Sequence, residues 1–228
     1  CVFKAINNIN ELDMIDDIKN SVLIIEPIQC TSGDLPLKTH LTSKIKQLQN
    51  KGLTLIVDEI QTGYLSTGTF WGHQQYTLNE PDIIIFGKKF QVCGCILNKN
   101  YSSLLDPNEP KYFSSTFDSN IIDMLRGTYF NNHLYNNFDF YQKRVHQISE
   151  LFSQNCNRIF DTSIFRVKGL FLALDFETRI IRDKLVNELF NIGILCNPTG
   201  DRSIRFRANL DTSDQDIISL MEALKSLT

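Results

Sequence analysis

The stretch Leu53-Thr54-Leu55-Ile56-Val57-Asp58-Glu59-Ile60-Gln61-Thr62-Gly63 decides the fold class. Leu53–Val57 is a continuous aliphatic and β-branched run that stops at two carboxylates. A short run without alternation suits a strand of a parallel sheet covered on both faces. Two similar runs flank it, Val22–Ile25 upstream and Ile83–Phe86 downstream. Between the first two, Leu37, Leu41, Ile45 and Leu48 recur at helical spacing, and Lys51-Gly52 supplies a stop. This order predicts a β-α-β unit. Glu80-Pro81-Asp82 reads as a turn that restarts an extended segment before the third run. Cys93–Leu97 then reads as a fourth strand, returning antiparallel.

Residues 101–118 are turn-rich, with Pro107 and Pro110, and helical periodicity resumes at Ile121 and crosses an Asn-rich patch at Asn131–Asn137. The remainder predicts a smaller α/β unit. It has a helix through Val145, Ile148, Leu151 and Phe152, a strand Leu170–Phe176, a helix Ile181–Asn191 closed by Gly193, and a strand Ser203–Phe206. A last helix opens at Thr212-Ser213-Asp214, with Asp216 as the capping-box partner of Ser213. The expected fold class is therefore α/β, with residues 1–132 carrying a mostly parallel sheet and residues 133–228 forming a small C-terminal α/β domain.

With 228 residues, 42% of them hydrophobic, the chain can bury a core without staples. A net charge of −3 without a run of Lys or Arg provides no polyphosphate track, so no nucleic-acid partner is expected. The longest apolar runs are far too short to span a bilayer, so no membrane partner is expected either. Six cysteines without a Cys-x-x-Cys pair predict reduced thiols and a cytoplasmic location. Cys93-x-Cys95, with His73 as the nearby imidazole, is a poor zinc arrangement, so the expected metal complement is none. The sequence begins at Cys1 rather than Met and reads as part of a longer protein.

Each of the three early runs ends in an ionisable group: Glu26, then Asp58, then Lys88-Lys89. Ligands of open α/β sheets bind outside the carboxyl ends of the strands, so these groups are candidates to share one crevice. From spacing alone, charges that only mark where strands leave the core are the better-supported reading.

Glu26-Pro27-Ile28-Gln29, Asp58-Glu59-Ile60-Gln61-Thr62-Gly63 and Phe86-Gly87-Lys88-Lys89 resemble the class III aminotransferases, pyridoxal-phosphate (PLP) enzymes of fold type I. Thr67-Gly68-Thr69-x-Trp71, Pro81-Asp82-Ile83 and Gly87-Lys88-Lys89-x-Gln91-Val92-Cys93-Gly94 are most similar to the lysine 6-aminotransferases of that class. Lys168-Gly169-Leu170 and Ile204-Arg205-Phe206-Arg207 extend the likeness, which runs from about residue 20 to the C-terminus.

The resemblance implies part of the large-domain sheet of fold type I and the small C-terminal domain, with PLP as cofactor. It implies Lys89 as the Schiff-base lysine and proton carrier, because the class places that lysine five residues before a glycine of the returning strand, here Gly94. Lys88 reads as a solvated surface lysine. Asp58 would pair with the ring nitrogen and Gln61 would lie near the phenolic oxygen. Glu26 and Arg205 would form the switch that unmasks a carboxylate clamp for 2-oxoglutarate. Thr116, in Ser115-Thr116-Phe117, would reach the cofactor phosphate of a neighbouring subunit, which implies a homodimer with shared active sites. The implied reaction moves the ε-amino group of L-lysine to 2-oxoglutarate. Alternatives are an ornithine or 4-aminobutyrate enzyme of the class, or a non-catalytic remnant acting as an assembly partner.

The chain departs from the class pattern in three places. Cys30-Thr31-Ser32-Gly33 stands for Gly-Glu-Gly-Gly, Asp118-Ser119 for Gly-Gly, and Ala208-Asn209 where one or two prolines are expected. The resemblance also implies that the main phosphate loop, the aromatic stacked on the cofactor and the arginine for the substrate α-carboxylate lie outside these residues.

Overall fold

The computed structural model describes residues 9–106, 108, 116 and 118–227. In chain order its strands and α-helices are β1 (Val22–Ile25), β2 (Ile28–Gln29), β3 (Leu35–Pro36), α1 (Thr39–Asn50), β4 (Thr54–Asp58), β5 (Ile83–Phe86), β6 (Gly94–Leu97), α2 (Ile121–Asn136), α3 (Phe138–Ile159), β7 (Phe165–Lys168), β8 (Phe171–Asp175), α4 (Arg179–Asn191), β9 (Asn197–Thr199), β10 (Ser203–Arg207) and α5 (Asp214–Leu227). They fall into two compact units. The first holds the residues up to Pro27, Leu37–Gln61 and His73–Asn131; the second holds Ile28–Pro36, Thr62–Gly72 and the residues from Asn132 on.

The first unit is built on a four-stranded sheet of order β1-β4-β5-β6. β1, β4 and β5 are parallel, and β6 returns antiparallel with Phe86 opposite Gly94. The β-α-β crossover through α1 is present as the periodicity predicts. Leu53 belongs to the turn rather than the strand, because its N–H is held by the Leu48 carbonyl at the end of α1 (3.1 Å). Asp82 ties the sheet together after Pro81. Its carboxylate accepts from the Leu55 N–H (2.8 Å), its N–H donates to Leu55 (2.9 Å), and its carbonyl accepts from Asn98 (2.8 Å).

Leu12, Ile45, Leu48, Leu53, Leu55 and Val57 form the core of this unit, with Leu23 and Ile25 against it. The expected burial of both sheet faces does not hold at β1. Val22 and Ile24 are 57% and 59% exposed, so this strand alternates. The physical reason is cover on one face only: among the described residues, Leu23 and Ile25 pack against the core that includes α1, while Val22 and Ile24 alternate to the opposite face.

The second unit carries an antiparallel sheet of order β7-β8-β10-β9 and the hairpin β2-β3. Phe171, Leu172, Ala173 and Leu174 of β8 are all buried. Phe171, Leu172 and Leu174 join Val145, Ile148 and Phe152 of α3, Leu185 and Leu189 of α4, and Ile217, Met221 and Leu224 of α5 in one core. The capping box of α5 forms as read. Asp216 accepts from the Ser213 N–H (2.9 Å), and the Asp216 N–H donates to Ser213 Oγ (3.0 Å). Among the described residues no helix is long and apolar enough to cross a membrane.

Candidate active site

In the first unit, β1, β4 and β5 run in one direction, so Glu26, Asp58 and the Gly87-Lys88-Lys89 turn leave the sheet along one edge. Asp58 is the last residue of β4 and is half-buried. Its Oδ1 accepts from the Ile60 N–H (2.9 Å), an Asx turn that bends the chain away from the strand. The next N–H, of Glu59, still donates to Ile85 on β5 (2.8 Å), so the exit from β4 remains tied to its neighbour.

The Glu59 side chain is fully buried. Its Oε1 accepts from the His73 N–H (2.7 Å) and faces His73 Nδ1 at 2.8 Å. This pair connects the end of β4 to the turn at Gly72–Gln75. It was not among the residues singled out from sequence. The available signal was the adjacent Asp-Glu at a strand exit, because alternation sends the second carboxylate to the other side.

Gln61 is the point at which the two lysines meet. Lys89 Nζ donates to the Gln61 carbonyl oxygen (3.1 Å), and Lys88 Nζ donates to the Gln61 side-chain oxygen, Oε1. Lys88 is exposed, as expected of a surface lysine, yet its ammonium is committed to this contact. Backbone geometry forces the convergence. Lys88 (φ 53) and Gln91 (φ 64) both sit in the left-handed region, at the two ends of the turn that carries Lys89.

Gly127 of α2 lets the helix approach that turn. A Cβ there would meet Val92 Cγ1 at 2.8 Å and the Phe90 carbonyl at 3.3 Å. Phe90 itself is buried and packs on Phe86 with ring centroids 5.1 Å apart. Lys89 is therefore on a segment held by packing on both sides. Glu26 follows β1 directly and is half-buried.

Thr116 is exposed in a turn; Ser115 and Phe117 lie outside the described residues. Ser119 adopts φ 56, a conformation that favours glycine, where the class pattern has one.

Arg205 lies in the second unit, on β10. Its Nη1 donates to the Cys30 carbonyl (2.8 Å), which also accepts from Thr199 Oγ1 (2.7 Å). Its Nε is buried without a hydrogen-bond partner among the described residues. A buried guanidinium N–H without an acceptor is costly, and a carboxylate would satisfy it. The β2-β3 turn that supplies Cys30 is held by two more arginines of this unit. Arg166 donates to the Gly33 carbonyl (2.7 Å from Nη2) while pairing with both oxygens of Asp175 (2.6 and 2.9 Å). Arg207 pairs with buried Asp34 (2.6 Å) and lies 4.1 Å over the Phe171 ring.

Burial alone would raise the Asp175 pKa. The hydrogen bonds from Arg166 and Ser203, with the Arg166 and Arg202 charges, outweigh it and hold the carboxyl below its ordinary value. Ala208-Asn209, the departure from proline, is put to use: the Ala208 N–H donates to Leu170 (3.0 Å) and that of Asn209 to Thr212 Oγ1 (2.9 Å). Proline has neither donor.

With this geometry in view, comparison with known proteins identifies the class. Residues 2–227 match the family model for class-III aminotransferases, and the chain belongs to that family. It is 31% identical to a 4-aminobutyrate aminotransferase of Dictyostelium discoideum over 82% of this chain and 38% of that protein. It is 30% identical to an L-lysine-epsilon aminotransferase of Mycobacterium tuberculosis over 89% of this chain and 46% of that protein. A solved lysine aminotransferase from M. tuberculosis, in the internal aldimine form, superposes with a TM-score of 0.79. It is 28% identical, over 90% of this chain and 48% of that one. The chain thus spans less than half the length of these relatives. Its fold is that of the PLP-dependent transferases of fold type I, and the cofactor of its family is PLP.

The donor set of the first unit fits that cofactor. A primary amine on a packed turn, a carboxylate at the neighbouring strand end and a side-chain amide between them answer an aldehyde, a ring nitrogen and a phenolic oxygen.

Proposed function

We propose that this chain contributes the lysine- and arginine-bearing part of an aminotransferase that moves the ε-amino group of L-lysine to 2-oxoglutarate. The products are 2-aminoadipate 6-semialdehyde and L-glutamate. The observation that carries the reading is the junction at Gln61, where the Lys89 amine is held 3.1 Å from a carbonyl three residues beyond Asp58.

When bound, PLP supplies an electron sink that stabilises negative charge developing on the substrate carbon. Lys89 Nζ would hold the cofactor through its aldehyde group, and the same primary amine would serve as the base that carries a proton at the substrate carbon. Asp58 would hold the ring nitrogen through a charge-assisted hydrogen bond that favours its protonated form, which asparagine would replace only by a neutral one. Gln61 orients the ring through its phenolic oxygen. Arg205 clamps a carboxylate of 2-oxoglutarate with guanidinium N–H groups that include the Nε left without a partner among the described residues. Glu26 masks that arginine while the amino donor is bound. Thr116 reaches the cofactor phosphate of a second subunit, so the working species is a homodimer in the cytoplasm.

The division into a large domain, 1–132, and a small one, 133–228, is supported by the break between the units after Asn131; the short segments 28–36 and 62–72 cluster with the second unit.

L-lysine is favoured by Gln91-Val92-Cys93-Gly94 after the paired lysines. The second reading, 4-aminobutyrate as donor, is favoured by the 31% identity to an enzyme of that name. The test is to express the full gene, reduce the PLP-loaded protein with borohydride and map the modified residue. Label on any residue but Lys89, or none, sinks the mechanism. Parallel assays with L-lysine, ornithine and 4-aminobutyrate decide the donor, and turnover of either alternative without lysine overturns that assignment.

A further inference from the structure

Lys88 is exposed and lies one residue from the proposed cofactor lysine, yet its ammonium is committed to Gln61 Oε1. We propose that Lys88 is a positioning residue: it fixes which end of the Gln61 amide faces the cofactor. This rests on the reading above, in which Gln61 meets the phenolic oxygen.

An ammonium has three donors and no acceptor, so it can engage only the oxygen end of a side-chain amide. With Oε1 taken by Lys88, the two N–H donors of Gln61 Nε2 are the groups left for a ligand. Among the described residues they have no other hydrogen-bond partner, while the Gln61 carbonyl is used by Lys89. An electron-rich phenolic oxygen needs a donor opposite it. A flipped amide would present Oε1 instead, setting two acceptors against each other. Asn and Gln amides are close to symmetric in shape, so packing alone selects weakly between the orientations; a cation selects strongly.

The backbone supports the same conclusion. Lys88 occupies a left-handed conformation (φ 53) that non-glycine residues adopt at a free-energy cost, in the turn that also presents Lys89. Glycine would relieve that strain but would bring no cation to Gln61. The adjacent lysines thus have separate roles: Lys89 engages the cofactor, and Lys88 sets the partner that orients it.

The experiment is a double-mutant cycle in the full-length protein, with PLP affinity measured by fluorescence quenching. Lys88→Met should weaken PLP binding by about tenfold or more, the loss expected for a hydrogen bond to a charged group. Lys88→Arg, which keeps the donors, should stay within about twofold. In a Gln61→Ala background, Lys88→Met should change affinity less than about twofold, because its target is gone. A second readout needs no cofactor: the side-chain amide resonances of Gln61 should move toward solvent values in the apoprotein of Lys88→Met.

Unchanged PLP affinity in Lys88→Met overturns the proposal. So does a loss that persists undiminished in Gln61→Ala, which would mean that Lys88 acts on the cofactor by its charge alone. Unmoved Gln61 resonances overturn it as well. Failure of the parent reading has a different signature, borohydride label absent from Lys89 in the unsubstituted protein.

Discussion

The two units solve the problem of burying a sheet in different ways. In the second, a wholly antiparallel sheet and three helices enclose a continuous core in which Leu172, Leu174, Leu189 and Ile204 have no exposed surface. In the first, the mixed sheet is covered by α1 on one face, while Val22, Ile24 and Ile96 remain exposed. Along α2, Ile121, Ile122, Met124, Leu125 and Tyr129 are exposed as well. The candidate cofactor residues lie in this more open unit, at the carboxyl ends of its parallel strands. The arginine proposed to clamp substrate lies in the closed one. Chemistry and stability are thus carried by different parts of the chain, and substitutions should separate them.

The largest effect is expected at Lys89. Lys89→Ala should remove the borohydride label and lower turnover by about 10³-fold, as loss of the proton-carrying group requires. The unfolding midpoint of the second unit should not move. Trp71, the only tryptophan, belongs to that unit and reports its unfolding by fluorescence.

The converse substitution is Phe152→Ala, in a side chain only 2% exposed. It should cost about 3–5 kcal/mol in urea unfolding followed at Trp71. A much smaller cost would mean that the core of the second unit is less well packed than its burial indicates.

Acid should act on the second unit through Asp175. Its folded-state pKa lies below the ordinary 3.8. The stabilisation is therefore fully present above that value and is lost as pH falls through the depressed one. Asp175→Asn should be less stable than the parent protein at neutral pH, and the difference should shrink as acid protonates the parent carboxyl. Midpoints measured from pH 6 down to about pH 2 test this.

Two smaller effects bound the comparison. Ser213→Ala removes half of the α5 capping box and should cost about 1 kcal/mol. Ile24→Ala, at a side chain 59% exposed, should stay within about 0.5 kcal/mol for this chain.

Much of the architecture was legible from periodicity. The apolar runs at β1, β4 and β5, the helical stripe of α1 and the Ser213/Asp216 cap each depend on neighbours in the chain, and such patterns survive into the fold. The elements that escaped detection are β7, β9 and the β2-β3 hairpin. They are short, and their partners are distant in sequence: Arg166 on β7 reaches the Gly33 carbonyl, and Thr199 on β9 reaches that of Cys30. Phe165–Lys168 also carries two cations, so it lacks the apolar signature of a core strand. The exposed side chains of β1 escaped for a related reason, since an aliphatic run does not reveal which of its faces is covered.

By itself the sequence determined the order of elements and the charged groups at the ends of the parallel strands, whereas the choice of Lys89 over Lys88 as the candidate cofactor lysine came from the family resemblance of the Gly87–Gly94 pattern. Local spacing and side-chain chemistry are sufficient for the first two. Only the tertiary structure decided that Glu59 is buried against His73, that the Arg205 Nε has no acceptor among the described residues, and that Lys88, while exposed, reaches Gln61. Each of these depends on which groups are brought within about 3 Å across a long loop, the separation at which a hydrogen bond forms.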